Sequence, residues 1–168
     1  TTDQIVLQNW FAGDEYKVEK VEFADGTTWN AAYLLEQASA GTDGNDYLTG
    51  SSGNDVLRGM GGDDQIFGND GNDTVDGGTG NDYLRGDAGN DVYLFKRGDG
   101  SDTIMDYDSA ASNIDTVRFD ASIAASDVTV TKNGFSLNLN VKNTTDQIVL
   151  QNWFAGDEYK VEKVEFAD

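Results

Sequence analysis

The sequence predicts an all-β protein in which short strands stack into one core, with a short helix before the stack and a small antiparallel β-rich cap after it. Three observations predict this. Residues 41–94 read as six consecutive nine-residue units, and residues 128–166 contain stretches that alternate apolar and polar side chains. The first 25 residues also recur without a substitution as residues 144–168.

The nine-residue units share four fixed positions. In each unit positions one and four are Gly, position six is Asp and position eight is apolar. Gly allows the backbone to turn tightly, and the last three residues of a unit alternate as a very short strand would. A single unit cannot bury its apolar residue, but stacked units can. The predicted core ladder is Leu48, Leu57, Ile66, Val75, Leu84 and Tyr93.

These units resemble the repeats-in-toxin (RTX) nonapeptide G-G-x-G-x-D-x-U-x, which binds Ca²⁺ in a parallel β-roll. Position two departs from that pattern, because Gly stands there only at Gly78. The resemblance implies a parallel β-roll (RTX β-helix) over residues 41–104, including a degenerate seventh unit. Residues 105–168 are similar to the C-terminal flanking segment of adenylate-cyclase-type toxins. Residues 1–40 are interpreted as the end of a preceding unit, with the helix near its end.

The resemblance also implies where Ca²⁺ binds. In the family's roll one coil takes two units, so the position-six Asp side chains of alternate units face each other across a shared ion. One row would hold Asp46, Asp64, Asp82 and Asp102, and the other Asp55, Asp73 and Asp91. Four ions would fit, or five if Asp102 takes part. The turns are expected to supply further oxygen ligands to Ca²⁺ from positions one, three and five. These residues are Gly41, Gly50, Gly59, Gly68, Gly77, Asp43, Ser52, Gly61, Asp70, Thr79, Asn45, Asn54, Asp63, Asn72 and Asn81.

The composition excludes several functions. With 31 acidic and 11 basic residues the formal net charge is −20, which argues against nucleic acid or an anionic membrane as a partner. The chain has no Cys and no His, so thiolate zinc sites and His-dependent nucleophiles are excluded, and we expect no enzymatic activity. No apolar run approaches the roughly 18 residues of a membrane span, so we expect no membrane insertion.

By resemblance, the chain is expected to be a calcium-binding module of a secreted, extracellular bacterial protein. Such modules fold on meeting extracellular Ca²⁺, and the type I secretion machinery is the expected partner of the parent toxin, adhesin or exoenzyme. The alternative is an adhesive or ligand-binding module that calcium rigidifies, with ligand held by the aromatic residues Trp10, Trp29, Trp153 and Tyr159. These aromatic residues are predicted to form cap core.

The duplicated segment has two interpretations. The chain either spans a tandem array with a 143-residue unit or carries a deliberate graft of the cap segment at its N-terminus. Each copy lacks neighbours that the other has, which predicts head-to-tail self-association through this segment.

Overall fold

The computed structural model describes residues 18–110 and 112–167. Most of the first copy of the duplicated segment, including Trp10, therefore lies outside the described residues. The chain divides into two compact units between Ala38 and Ser39. No helix of the described ranges is long and apolar enough to cross a bilayer.

The first unit contains a short hairpin and a helix. Strands β1 (Lys20–Glu22) and β2 (Thr28–Asn30) pair antiparallel, and α1 follows over Ala31–Ala38. Gly26 makes the turn at φ +86°, and Asp25 Oδ1 accepts the Thr27 N–H at 2.9 Å. Asn30 caps the helix, because its Oδ1 accepts the Tyr33 N–H at 2.8 Å.

The second unit begins with eight short strands that alternate between two parallel sheets. Odd-numbered strands pair with odd-numbered strands and even with even, in steps of 18 residues through the regular repeats. One coil therefore takes two nonapeptides, and the predicted all-β parallel roll is confirmed. The strands are β3 (Tyr47–Thr49), β4 (Val56–Arg58), β5 (Gln65–Asp70), β6 (Thr74–Asp76), β7 (Tyr83–Ala88), β8 (Val92–Phe95), β9 (Ser101–Ile104) and β10 (Thr116–Phe119).

The C-terminal part differs from the simple antiparallel cap that the sequence predicts. It contains β11 (Val128–Asn133), β12 (Ser136–Val141), β13 (Gln147–Leu150) and β14 (Lys163–Phe166). β12 pairs antiparallel with β11 and β13, but β13 adds in parallel to β9 and β14 adds in parallel to β10. The second copy of the duplicated segment is thus one more coil of the roll, because its apolar residues continue the core.

Two apolar columns run through this core, one from each sheet. The seven-stranded sheet contributes Leu48, Ile66, Leu84, Ile104 and Leu150, and the five-stranded sheet contributes Leu57, Val75, Tyr93, Val117 and Val164. All are buried except Leu48 at one end and Val164 at the other, which is 40% exposed. Trp153 packs against the same core and donates its indole N–H to the Val161 carbonyl at 3.1 Å.

Candidate metal centre

The position-six aspartates form two rows, one along each edge of the stacked coils. From the second coil onward, each carboxylate accepts a hydrogen bond from the backbone N–H of the aspartate one coil earlier, at 2.7–3.0 Å. The first row holds Asp46, Asp64, Asp82 and Asp102, and the second holds Asp55, Asp73, Asp91 and then Asp115. Asp46 and Asp55, in the first coil, are half-buried and the others are buried.

One oxygen of each fully enclosed repeat aspartate is left without a partner. Oδ1 accepts the coil-to-coil bond, whereas the Oδ2 atoms of Asp64, Asp73, Asp82 and Asp91 are buried and accept no hydrogen bond. A buried carboxylate oxygen with no donor is costly unless a charge compensates it. These four oxygens are therefore the best-defined candidate metal ligands of the chain.

The first two repeats differ, because their aspartates bond locally. Asp46 Oδ2 accepts both the backbone N–H and the hydroxyl of Thr42, at 2.6 and 2.9 Å. Asp55 Oδ2 accepts the same two groups of Ser51, at the same distances. A cation at these two aspartates would therefore have to replace hydrogen bonds that the later repeats do not make.

Position-one glycines let a carboxylate oxygen and a carbonyl oxygen approach the backbone closely. A Cβ built on Gly59 would overlap both Asp64 Oδ2 and the Gly77 carbonyl oxygen, and one on Gly68 would overlap Asp73 Oδ2. A carboxylate oxygen and a carbonyl oxygen of the next coil thus converge beside Gly59. The same arrangement brings the carbonyl oxygens of Gly59, Gly68, Gly77 and Gly86 beside the aspartate rows.

The position-five side chains form a separate ladder. Asn45, Asn54, Asp63 and Asn72 each accept, through a side-chain oxygen, the position-five N–H of the next coil, at 2.8–2.9 Å. Asn81 donates its backbone N–H to Asp63 in this ladder. Four position-three residues are exposed: Asp43, Ser52, Asp70 and Thr79. Gly61 is buried and bridges Thr79 in parallel. Binding of Ca²⁺ by the backbone carbonyls of these position-three and position-five residues stays a prediction.

The structure extends the second row beyond the residues that the sequence identified. Asp115 follows Asp91 in register, and its own N–H donates to Glu162 Oε2 at 2.9 Å. The buried Asp106 contacts Asp115, accepts the Tyr93 hydroxyl at 2.8 Å and keeps Oδ2 unpartnered. Asp115 and Glu162 each precede an apolar residue by two positions, as in the repeats, but they lack the glycines that make a repeat recognisable.

Burial raises the pKa of the enclosed aspartates in both rows. Loss of solvation raises the pKa of Asp82 to about 6, that of Asp91 to about 7 and that of Asp102 to about 8. Asp64 and Asp73 shift in the same direction for the same reason. The pKa of Asp115 is also raised, by burial first and then by the neighbouring Asp106 carboxyl. Such carboxylates favour either protonation or a bound cation.

The donor set fits Ca²⁺. Hard cations of this kind take six to eight oxygen ligands in flexible geometry, and the rows offer carboxylate and carbonyl oxygens without nitrogen or sulfur donors. Among residues 18–110 and 112–167, no three acidic side chains converge on one point, so backbone carbonyls must complete each site. Asp64, Asp73, Asp82 and Asp91 would hold the ions, together with the position-one carbonyls.

Comparison with known proteins finds two family models that match this chain, and similar proteins. The RTX calcium-binding nonapeptide repeat matches residues 40–75 and 67–104, and the haemolysin-type calcium binding protein related domain matches residues 1–33 and 137–168. The iron-regulated protein FrpA of Neisseria meningitidis serogroup C is 33% identical over 77 residues, which are 44% of this chain and 7% of that protein. The chain thus spans a small part of this relative.

A solved structure is also similar. It is the solution structure of the AlgE6R3 subunit from the Azotobacter vinelandii mannuronan C5-epimerase, at 28% identity and a TM-score of 0.47, over 65% of this chain and 71% of that one. The similarity of the flank to adenylate-cyclase-type toxins stays a prediction. Residues 40–104 therefore match RTX calcium-binding nonapeptide repeats, and the segments on either side of them match the haemolysin-type calcium binding protein related domain.

Proposed function

We propose that this chain is a calcium-binding module that folds on binding extracellular Ca²⁺ through its two aspartate rows. The single observation that carries the proposal is the set of four buried, unpartnered carboxylate oxygens, on Asp64, Asp73, Asp82 and Asp91. Each would be an uncompensated buried charge in a calcium-free roll at neutral pH, and each gains a partner when a cation binds.

The free energy of calcium binding is large enough to switch the chain between unfolded and folded states. A site with a dissociation constant near 0.1 mM in about 1 mM calcium gains roughly 1.4 kcal/mol. Four or five such sites together contribute about 6 to 7 kcal/mol, which is comparable to the whole stability of a small domain. At micromolar calcium the same sites contribute almost nothing. The module would therefore be unfolded inside the cell and folded outside it.

This switch suits export through the type I secretion machinery, in which an unfolded chain crosses and then folds. We propose that the parent is a secreted bacterial toxin, adhesin or exoenzyme, and that this chain assists its folding without catalysing a reaction. Head-to-tail self-association through the duplicated segment is part of the same proposal. The alternative function, an adhesive or ligand-binding module, receives little support from Trp153. The indole of Trp153 packs on the core, and its N–H already donates a hydrogen bond to the Val161 carbonyl.

The test is calcium titration of the whole chain. Circular dichroism in EGTA should show little β structure, and added calcium should restore it cooperatively while magnesium at the same concentration should not. Isothermal titration calorimetry should give four or five ions per chain. Unchanged β content between EGTA and calcium would contradict calcium-driven folding.

A further inference from the structure

The duplicated segment places one strand sequence in two different pairings. The strand Lys-Val-Glu-Phe is residues 20–23 in the first copy and residues 163–166 in the second. In the first copy its first three residues form β1 and pair antiparallel with β2, and in the second all four residues form β14 and pair parallel with β10. Identical residues can therefore be compared in two environments.

The two pairings use opposite hydrogen-bonding edges of the strand. In the first copy the Phe23 N–H donates to the Thr27 carbonyl at 2.8 Å, so Val21 and Phe23 face β2. In the second copy the Lys163 N–H donates to Asp115 and the Ala167 N–H donates to Phe119. Because successive residues of a strand direct their backbone groups to alternate edges, Val164 and Phe166 face away from β10.

That outward edge carries no strand among the residues that the structure describes, since β14 ends its five-stranded sheet. Val164 and Phe166 are the counterparts of Val21 and Phe23, which do have a strand on this edge. The pairing seen in the first copy thus shows which strand the edge of β14 accepts: an antiparallel Thr-Trp-Asn strand like β2.

The side-chain faces agree with the hydrogen bonds. Trp29 lies opposite Val21 in the hairpin, and Val21 corresponds to Val164, the last member of the five-stranded sheet's apolar column. A strand docked on β14 in the same register would set its Trp opposite Val164 and continue that column by one step. Val164 is 40% exposed and Trp29 is 37% exposed, so both gain burial.

We propose that the free edge of β14 is a docking site for β2 of a second copy of this chain. The second copy releases β2 from its own β1, with the turn at Gly26 as the hinge, and pairs it antiparallel with β14. The released hairpin has three residue pairs, and hairpins of this kind are only marginally stable on their own. The docked strand makes the same pairs again and adds the burial of Trp29 and Val164.

This inference specifies the self-association in the proposed function. Reciprocal exchange between two chains closes a symmetric dimer, and one-way exchange continues as a head-to-tail series. Either arrangement removes an exposed sheet edge, which is a site of uncontrolled aggregation when it stays open.

The experiment uses the whole chain in saturating calcium and follows two readouts across a concentration series. Sedimentation velocity should show association, and amide hydrogen exchange at Val164 and Phe166 should slow by about tenfold or more as the associated fraction grows. The Lys163 and Ala167 amides, which already donate to β10, should stay protected throughout. Loss of their protection would mean that β14 itself is displaced and would overturn the proposal.

Two proline variants form a matched pair. Trp29→Pro removes the N–H that faces the partner strand and should abolish both association and the slow exchange. Thr28→Pro removes an N–H that points to the other edge, where proline is tolerated, and should keep both. Equal association of the two variants, or a monomeric wild-type chain, would refute the docking site. Circular dichroism of each variant with calcium tests the proposed function separately, because both substitutions lie outside the roll.

Discussion

At the residue scale, the two oxygens of each enclosed repeat aspartate have different roles. Oδ1 accepts the N–H of the preceding aspartate in its row and so ties one coil to the next, whereas Oδ2 of Asp64, Asp73, Asp82 and Asp91 is buried without a donor. The first role needs no cation, whereas the second oxygen needs a bound cation or a proton. A substitution that keeps Oδ1 and changes Oδ2 separates the two.

Asp82→Asn is such a substitution. The amide oxygen can still accept the Asp64 N–H, but the buried charge is gone. In EGTA at pH 8 we expect the free energy of unfolding to rise by on the order of 1–2 kcal/mol, because a desolvated carboxylate has been removed. In saturating calcium we expect it to fall by about 1–3 kcal/mol, because two predicted sites share this residue. Urea denaturation measures the change in calcium, and the residual β content by circular dichroism measures the change in EGTA.

Asp63→Asn is the matched control for this prediction. It removes the same charge one residue away, but Asp63 is exposed and its oxygen accepts the Asn81 N–H in the position-five ladder. An Asn oxygen can accept that bond equally well, so little change is expected with or without calcium. Equal effects of the two substitutions would contradict a specific role for Asp82.

Met60 has a backbone conformation that is unfavourable for its residue type. It occupies position two at φ +78°, where Gly78 stands in the fifth unit, and its side chain is 53% exposed. A left-handed conformation costs a residue with a Cβ roughly 1–2 kcal/mol. The fold imposes it because neighbouring coils fix the path of the turn.

We expect Met60→Gly to stabilise the calcium-bound chain by about 1 kcal/mol. Asn69→Gly at the same position of the next unit should give no gain, since Asn tolerates φ +76° and its side-chain amide donates to the Gly50 carbonyl. Thermal denaturation of both variants decides between strain at Met60 and a general benefit of glycine at this position.

At the scale of elements, the repeats could be delimited from sequence because their period is strict. The C-terminal strands could not be assigned correctly, because alternation predicts a strand without naming its neighbour. β13 and β14 join the roll in parallel because Ile148, Leu150 and Val161 are buried in the same core. The extension of the second aspartate row to Asp115 and Glu162 was not predicted either, because the local sequence does not show which strands are neighbours.

Two deletions test this account of the C-terminal strands. Removal of residues 144–168 should abolish cooperative calcium-induced folding, because it strips one coil and exposes Ile104 and Phe119. Removal of residues 1–38 should leave that folding intact, because residues 39–168 form a compact unit of their own. Circular dichroism during calcium titration compares the two. Calcium-induced folding of the first deletion would show that β13 and β14 are only an appendage.

At the scale of the whole molecule, a net charge of −20 opposes compaction, and the deepest carboxyls concentrate this cost. Their folded pKa values lie at about 6 to 8, whereas an unfolded Asp titrates near 3.9. Between these values the folded chain holds more protons than the unfolded chain. Its stability without calcium therefore falls as pH rises through this window and is greatest below it.

We accordingly expect opposite pH dependences with and without calcium. In EGTA the chain should be more stable at pH 5 than at pH 8, because protons neutralise the buried rows. In saturating calcium it should be more stable at pH 8, because protons compete with the cation for the same oxygens. Circular dichroism at both pH values measures the folded fraction in EGTA, and thermal denaturation at both pH values measures the stability in calcium. The same pH dependence in EGTA and in calcium would contradict the proposed role of the rows.

The sequence by itself determined the repeat unit, the apolar ladder and the resemblance to RTX repeats, because each nonapeptide forms its own turn and strand from local residues. The tertiary structure decided which carboxylate oxygens lack a partner, which strands follow the repeats in each sheet, and which edge of the duplicated strand stays open. These depend on contacts between residues 18 to 47 positions apart, and no local pattern specifies them. Identical residues at the two ends show this most directly, since β1 and β14 differ only in the neighbour that each one meets.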